Sequence, residues 1–494
     1  MSYPDLLFLQ PPTGKLIPAC VYEDMKLDSM LTPVAVEVMR RVCGREDILA
    51  RQSMFRALSR TAFRTHMQRL SEDMTLLRAL SGRYEESRCE EERWALYVNL
   101  SDALCAFFER AAQAESDAPE EENPLYGRFQ SYFAGRVELE NYKRIRKDID
   151  ALLPRLESVL HNTCRIEGDE VTLLADRPQT YLERLLRCAE ELQLPDAAPQ
   201  KMAPRPIDAS LIRALASLYP EVFAALEQFY RSHRNFYEGE ILRYGEALEF
   251  YLTLAALLDR AAEAGIPIRY PVISCEKKIE LRAAYDVTLL TKGEKHIIPN
   301  DALFDEKEPF FYLTGANGGG KTTYLRTVGI QVLLFLAGSP LPCEHAEIYT
   351  LGGVYTHFPR DERFNNAGRG VEEQMRVDEM LSQCGSDGLV LLNETYSTTS
   401  EETAIERTVR LADRLYASGC FGVFVTHMHG VGETEIPYLN VLIDRSDSNR
   451  RTYKVARQRS AYSSYANDIL QKYGLTREAL EARFGGAKKE EQSE

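Results

Sequence analysis

One segment of the 494-residue sequence restricts its fold more than any other: Gly315-Ala316-Asn317-Gly318-Gly319-Gly320-Lys321-Thr322 fits G-x-x-x-x-G-K-[ST] at every fixed position. An apolar run, Phe310–Leu313, leads into it, and a helix-periodic stretch, Tyr324–Phe335, leads out. The pattern therefore sits at a strand-to-helix turn. Glycines there let the backbone wrap closely, with successive N–H groups pointing inward. The helix N-terminus adds partial positive charge at the same point. That combination suits a polyphosphate: Lys321 can reach β- and γ-phosphates, and the Thr322 hydroxyl, with Thr323 beside it, can serve Mg2+. The segment predicts ATP and Mg2+ as ligands, held by Gly315, Ala316, Asn317, Gly318, Gly319, Gly320, Lys321, Thr322 and Thr323.

Two further strands deliver polar residues in the order such chemistry needs. Leu389–Leu392 ends in Asn393-Glu394. The usual pair at this point is Asp then Glu, the first supporting the metal and the second positioning water. Glu394 fits the water role. Asn393 is neutral; it can hold a metal-bound water but adds no anion. Val423–Val425 ends in Thr426-His427, and a histidine there can sense the γ-phosphate. The candidate catalytic residues are thus Glu394 and His427, and the candidate metal residues are Thr322 and, through water, Asn393.

The rest of the chain divides by texture. Residues 1–265 read as mostly helical, 266–486 as alternating short apolar runs and helices, and 487–494 as a polar, disordered tail. Leu194–Pro206, with four prolines, is the clearest loop. After it, apolar residues from Phe223 to Leu258 recur at steps of three and four. A helix from Pro220 to Ala264 would be about 65 Å long and would suit a lever; Gly239 and Gly245 weaken it. The fold class expected is multidomain, an all-α core/lever domain followed by an α/β P-loop NTPase domain.

Hydrophobic content of 44% and charged content of 27% are those of a globular chain. No apolar run approaches the roughly 20 residues of a membrane span. With no secretory signal evident, a cytoplasmic location is expected. The ten cysteines contain no C-x-x-C pair, which argues against a zinc ribbon. A net charge of −15 excludes nucleic-acid binding by diffuse electrostatics, so any such contact needs a local basic patch or enclosure of the duplex. Two sets are candidates: Lys143-Arg144-Ile145-Arg146-Lys147, and a looser series from Arg40 through Arg41, Arg45, Arg51, Arg56, Arg60 and Arg64 to Arg69. The alternative for both is a solvated helix face paired with acids such as Asp148 and Asp150.

These motifs together resemble the MutS family. Ile298-Pro299-Asn300-Asp301 is similar to the family's IPND element, and Thr314–Arg326 to its TGPNMGGKSTYLR. Leu389–Ser400 is similar to LVLLDEIGRGTST, and Val425–His429 to ATHYH. Weaker echoes lie at Val21–Met30 and Tyr465–Leu475. The resemblance implies an ABC-like ATPase domain whose sites are completed by a dimer partner, behind a core and lever closing round DNA. The family's mismatch-reading and connector domains have no counterpart here. Its serine that reaches the partner's γ-phosphate is not evident between Phe364 and Met380, and Tyr396-Ser397-Thr398 replaces its GRG. The function expected is therefore ATP hydrolysis coupled to clamp-like binding of structured or branched DNA by a homodimer, rather than mismatch recognition. Two alternatives remain open: a non-hydrolysing ATP-switched scaffold, and a MutS-like ATPase acting on RNA or ribosomal complexes.

Overall fold

The structure is a computed structural model. It describes residues 3–10, 14–113, 123–160, 163–167, 170–174, 209–294, 296–359, 366–396, 401–426, 435–443 and 451–457. The chain forms two compact units, one of Met1–Leu6 with Ala57–Glu249 and one of Leu7–Arg56 with Phe250–Glu494. Composition suggested one change of texture near residue 265, but segment 7–56 packs within the second unit.

The first unit is helical apart from one antiparallel strand pair, Thr163–Glu167 with Glu170–Leu174, where an all-α domain was expected. Thr61–Glu85 buries Phe63, Met67, Leu70, Met74, Leu77 and Ser81, a stripe at steps of three and four that gives one apolar face. Glu90–Ala112 starts with three glutamates, favourable at a helix N-terminus, and from Leu96 onward is buried on several faces. The core is aromatic. Phe107 and Phe129 each pack on Phe133, with ring centroids 5.5 and 4.9 Å apart, and Phe129 also meets Tyr244 at 4.9 Å.

The long helix expected over Pro220–Ala264 is not continuous. An α-helix ends at His233, a 3-10 turn covers Gly239–Leu242, and a second α-helix runs Arg243–Glu263. The break has a packing cause. The Tyr97 hydroxyl donates to the His233 carbonyl at 2.5 Å, and the turn that follows directs Phe236 onto Phe108 and Tyr142. Burying one aromatic ring fully is worth about 1.5–3 kcal/mol, enough to outweigh the few hydrogen bonds lost at the interruption. In this break Phe236 is buried and the Tyr237 hydroxyl lies 2.7 Å from that of Ser81.

Both basic sets have structural partners. In the helix Glu140–Leu160, Ile145 is buried and Arg146 pairs with Asp102 and Asp150. Lys143 pairs with Glu138. In the looser series, Arg40 donates to the Ile17 carbonyl and Arg45 to that of Ile273. Arg56 covers the Tyr270 ring. Arg51 is fully buried, donates to the Leu7 carbonyl and lies between the rings of Phe8 and Phe250. The cations in these contacts brace the fold.

The second unit is built on a six-stranded sheet in the order Gly353–His357, Gly388–Asn393, Phe421–Val425, Phe310–Thr314, Tyr438–Ile443, Arg451–Arg457. The first five strands are parallel and the last is antiparallel. The three apolar runs picked out from the sequence are adjacent central strands, buried on both faces, as continuous apolar strands in parallel sheets are. The helix Lys321–Leu336 is almost wholly buried. A four-stranded sheet, Val272–Ser274, His345–Tyr349, Ile279–Ala284, Asn300–Phe304, belongs to the same unit. Segment 19–25 contributes too: the Asp24 carboxylate accepts from Thr356 at 2.5 Å and its carbonyl from Arg326 at 2.9 Å. Among the described residues no single helix is long and apolar enough to cross a membrane.

Candidate functional site

The strand register brings the sequence-predicted residues to one edge. Asn393 is level with Val425, Val425 with Leu313, and Thr314 with Asn440. The loop after Thr314, the pair Asn393-Glu394 and the exit at Thr426 therefore leave the sheet side by side, at the carboxyl ends of parallel strands. This is where open α/β sheets form their ligand crevices.

Gly315–Gly320 joins the strand Phe310–Thr314 to the helix Lys321–Leu336. Gly315, Gly318 and Gly320 take φ of 134°, 70° and 99°, a region that L side chains rarely adopt. Space restricts Gly315 and Gly319 as well: a Cβ on either would come within 3.0 Å of Val441 side-chain atoms. Val441 thus presses the loop down from the neighbouring strand.

Lys321 is buried, and its ammonium folds back onto the loop. It donates to the Gly315 carbonyl at 2.8 Å and the Ala316 carbonyl at 3.2 Å, with Asn317 Oδ1 at 3.4 Å. Burial lowers its pKa to about 8; the Glu394 carboxylate opposes this by attraction, and Arg451 adds to it by repulsion. Thr322 Oγ1 donates to Asn393 Oδ1 at 3.3 Å. That bond joins the start of the helix to the end of a strand two positions away in the sheet.

Beyond Asn393 the backbone turns sharply. Glu394 and Tyr396 have φ of 54° and 69°, a conformation costing about 1–3 kcal/mol for non-glycine residues. It is held from both sides. The Glu394 N–H donates to the Val425 carbonyl at 3.1 Å, and the Tyr396 N–H to Glu373 Oε1 at 2.9 Å. The buried Thr395 hydroxyl meets His357 Nδ1 at 3.1 Å. Glu394 is half-buried and close enough to Lys321 to act on its charge.

Several positioning residues carry no pattern readable on their own: Val441, Glu373, His357 and Tyr453. Asn300, within the IPND-like element, has a clear structural task. Its Nδ2 donates to the Tyr453 carbonyl at 3.0 Å and its Oδ1 accepts from the Val455 N–H at 2.8 Å. Tyr453 in turn lies against Gly320. His427 falls outside the described residues, as do the loop 194–206 and the tail 487–494.

Residues 311–481 match MutS domain V. DNA mismatch repair protein MutS of Thermus caldophilus is 26% identical over 265 residues, 53% of this chain and 31% of that protein. DNA mismatch repair protein MutS of Carboxydothermus hydrogenoformans is 28% identical over 261 residues, 50% of this chain and 31% of that protein. The aligned region thus spans about a third of these relatives' own length.

Proposed function

We propose, from the premise that the C-terminal half of this chain belongs to the MutS family, that the protein binds and hydrolyses ATP at the Gly315–Gly320 loop. The observation that carries the reading is the Thr322–Asn393 hydrogen bond beside a loop whose glycines take positive φ. It joins the two residues that a magnesium-bound triphosphate requires together.

In this reading the loop amides and Lys321 hold the phosphates, with Thr323 at the same helix start. Thr322 would support Mg2+, and Asn393 would do so through a water. The metal would supply charge neutralisation on the β- and γ-phosphates. Glu394 orients and deprotonates the attacking water, its carboxylate held by a backbone turn anchored on two sides. His427 senses the γ-phosphate. Release of Lys321 from the Gly315 and Ala316 carbonyls accompanies nucleotide entry, because an ammonium prefers phosphate oxygens to neutral carbonyls.

The output we propose is an ATP-gated, clamp-like hold on structured or branched DNA, by a homodimer formed through the ATPase domain. The bracing of the arginines by carbonyls, acids and rings favours enclosure of the duplex over adhesion to a basic stripe. Asn393 supports a second reading, a non-hydrolysing ATP switch, since it gives the metal no anion. Magnesium-dependent phosphate release by the purified protein separates the two. Glu394→Gln is expected to keep ATP affinity within about threefold while phosphate release falls by about 100-fold or more. Release unaffected by this substitution would remove Glu394 from the mechanism, and none in the wild type would favour the switch.

A further inference from the structure

At the opposite ends of the same parallel strands, two cysteines lie close together. Cys384 directly follows the helix Asn366–Gln383, and Cys420 directly precedes the strand Phe421–Val425. The register that pairs Leu389 with Phe421 sets Gly388 beside Cys420. A Cβ built on Gly388 would lie 2.7 Å from the Cys384 sulfur. Gly388 therefore leaves open the space that Cys384 fills, level with Cys420; the Cys384 thiol donates to the Gly385 carbonyl and the Cys420 thiol to the Leu415 carbonyl, each at 3.4 Å. Both pack in one apolar cluster beneath the sheet. Cys420 is fully buried and Cys384 only partly so.

We propose that Cys384 and Cys420 form a reversible intrachain disulfide, a modification site about 17 Å of strand away from Asn393. Two cysteines are poorly explained as small hydrophobes when the sulfur of one fills the gap at the strand position beside the other, in the same cluster. The surroundings also divide the chemistry between them. Lys277 Nζ, fixed 2.8 Å from the Gly419 carbonyl, sets a positive charge near the buried Cys420. Cys384 is the more accessible of the two, with its sulfur at the Gly388 gap. The accessible sulfur therefore meets the oxidant, and the inner one resolves the product.

With oxidised glutathione as the oxidant, Cys384 gives up its proton as its sulfur attacks one glutathione sulfur, and the other glutathione leaves as a thiol. The Cys420 thiolate then attacks the Cys384 sulfur of the mixed disulfide and expels the second glutathione, which takes up a proton. Two protein thiols lose two hydrogens and two electrons, and one glutathione disulfide becomes two thiols. The bond closes a loop from 384 to 420 that contains the strand Gly388–Asn393 and the helix Glu401–Ser418. It would stiffen the segment bearing Asn393 and Glu394.

The test uses the full-length protein without nucleotide, so its outcome is independent of the ATP reading. The protein is held folded with oxidised glutathione at pH 8, free thiols are alkylated, and the product is digested with trypsin. Cleavage after Arg376 and Arg414 puts the two cysteines on separate peptides. The expected product is the linked pair, lighter by two hydrogens than the sum of its peptides and separated by dithiothreitol. In Cys420→Ser a glutathione adduct should accumulate on Cys384; in Cys384→Ser, Cys420 should stay unmodified. The proposal is overturned if wild-type protein retains a stable glutathione adduct at Cys384, if Cys384 links to another cysteine, or if both remain thiols while the exposed Cys275 is oxidised.

Discussion

Raising the pH from 7 to 9 should strip the charge from Lys321 before nucleotide arrives. The free protein holds this ammonium in a buried position against three loop acceptors, and burial outweighs the attraction of Glu394, so it titrates near pH 8. With that value, about nine-tenths of the molecules carry the charge at pH 7 and about one-tenth at pH 9. A bound triphosphate would restore the charge, raising the pKa of Lys321 in the complex. Binding above pH 8 then takes up a proton, and affinity falls as pH rises through the free-state value. The expected loss is about tenfold between pH 7 and pH 9, or about 1.4 kcal/mol. A fluorescent ATP analogue titrated at saturating Mg2+ and constant ionic strength measures it. Lys321→Ala should bind more weakly at pH 7 and show no such slope. A flat wild-type profile, or the same slope in the variant, would refute the assignment of Lys321 to the phosphates.

Other substitutions probe separate parts of the reasoning. Asn393→Asp puts a carboxylate within reach of Thr322 Oγ1, now 3.3 Å from the asparagine oxygen. The Mg2+ concentration needed for half-maximal nucleotide binding should fall by about tenfold, and an unchanged requirement would move the metal away from this residue. Phe236→Ala removes the ring that the helix break directs onto Phe108 and Tyr142. It should lower stability by about 3–4 kcal/mol in denaturant unfolding, and a loss below about 1 kcal/mol would mean that packing does not cause the break.

What the sequence determined by itself was local and contiguous. The glycine run predicted a loop between strand and helix, and the structure has one, with positive φ at Gly315, Gly318 and Gly320. Three apolar runs read as buried strands, and they form neighbouring strands of one sheet. Each signal lies within a few consecutive residues, where backbone sterics and hydrophobic periodicity act directly. Only the tertiary structure decided the rest. Asn300 steadies Tyr453 across 153 positions, Val441 presses on Gly315 and Gly319, and Cys384 fills the space left where Gly388 lacks a side chain. The expected long helix breaks because a ring is better buried at Phe236 than an unbroken backbone ladder is kept, and Lys321 titrates near 8 because its neighbours exclude water. Packing, desolvation and strand register depend on which residues become neighbours, and in this chain those neighbours lie up to hundreds of positions apart.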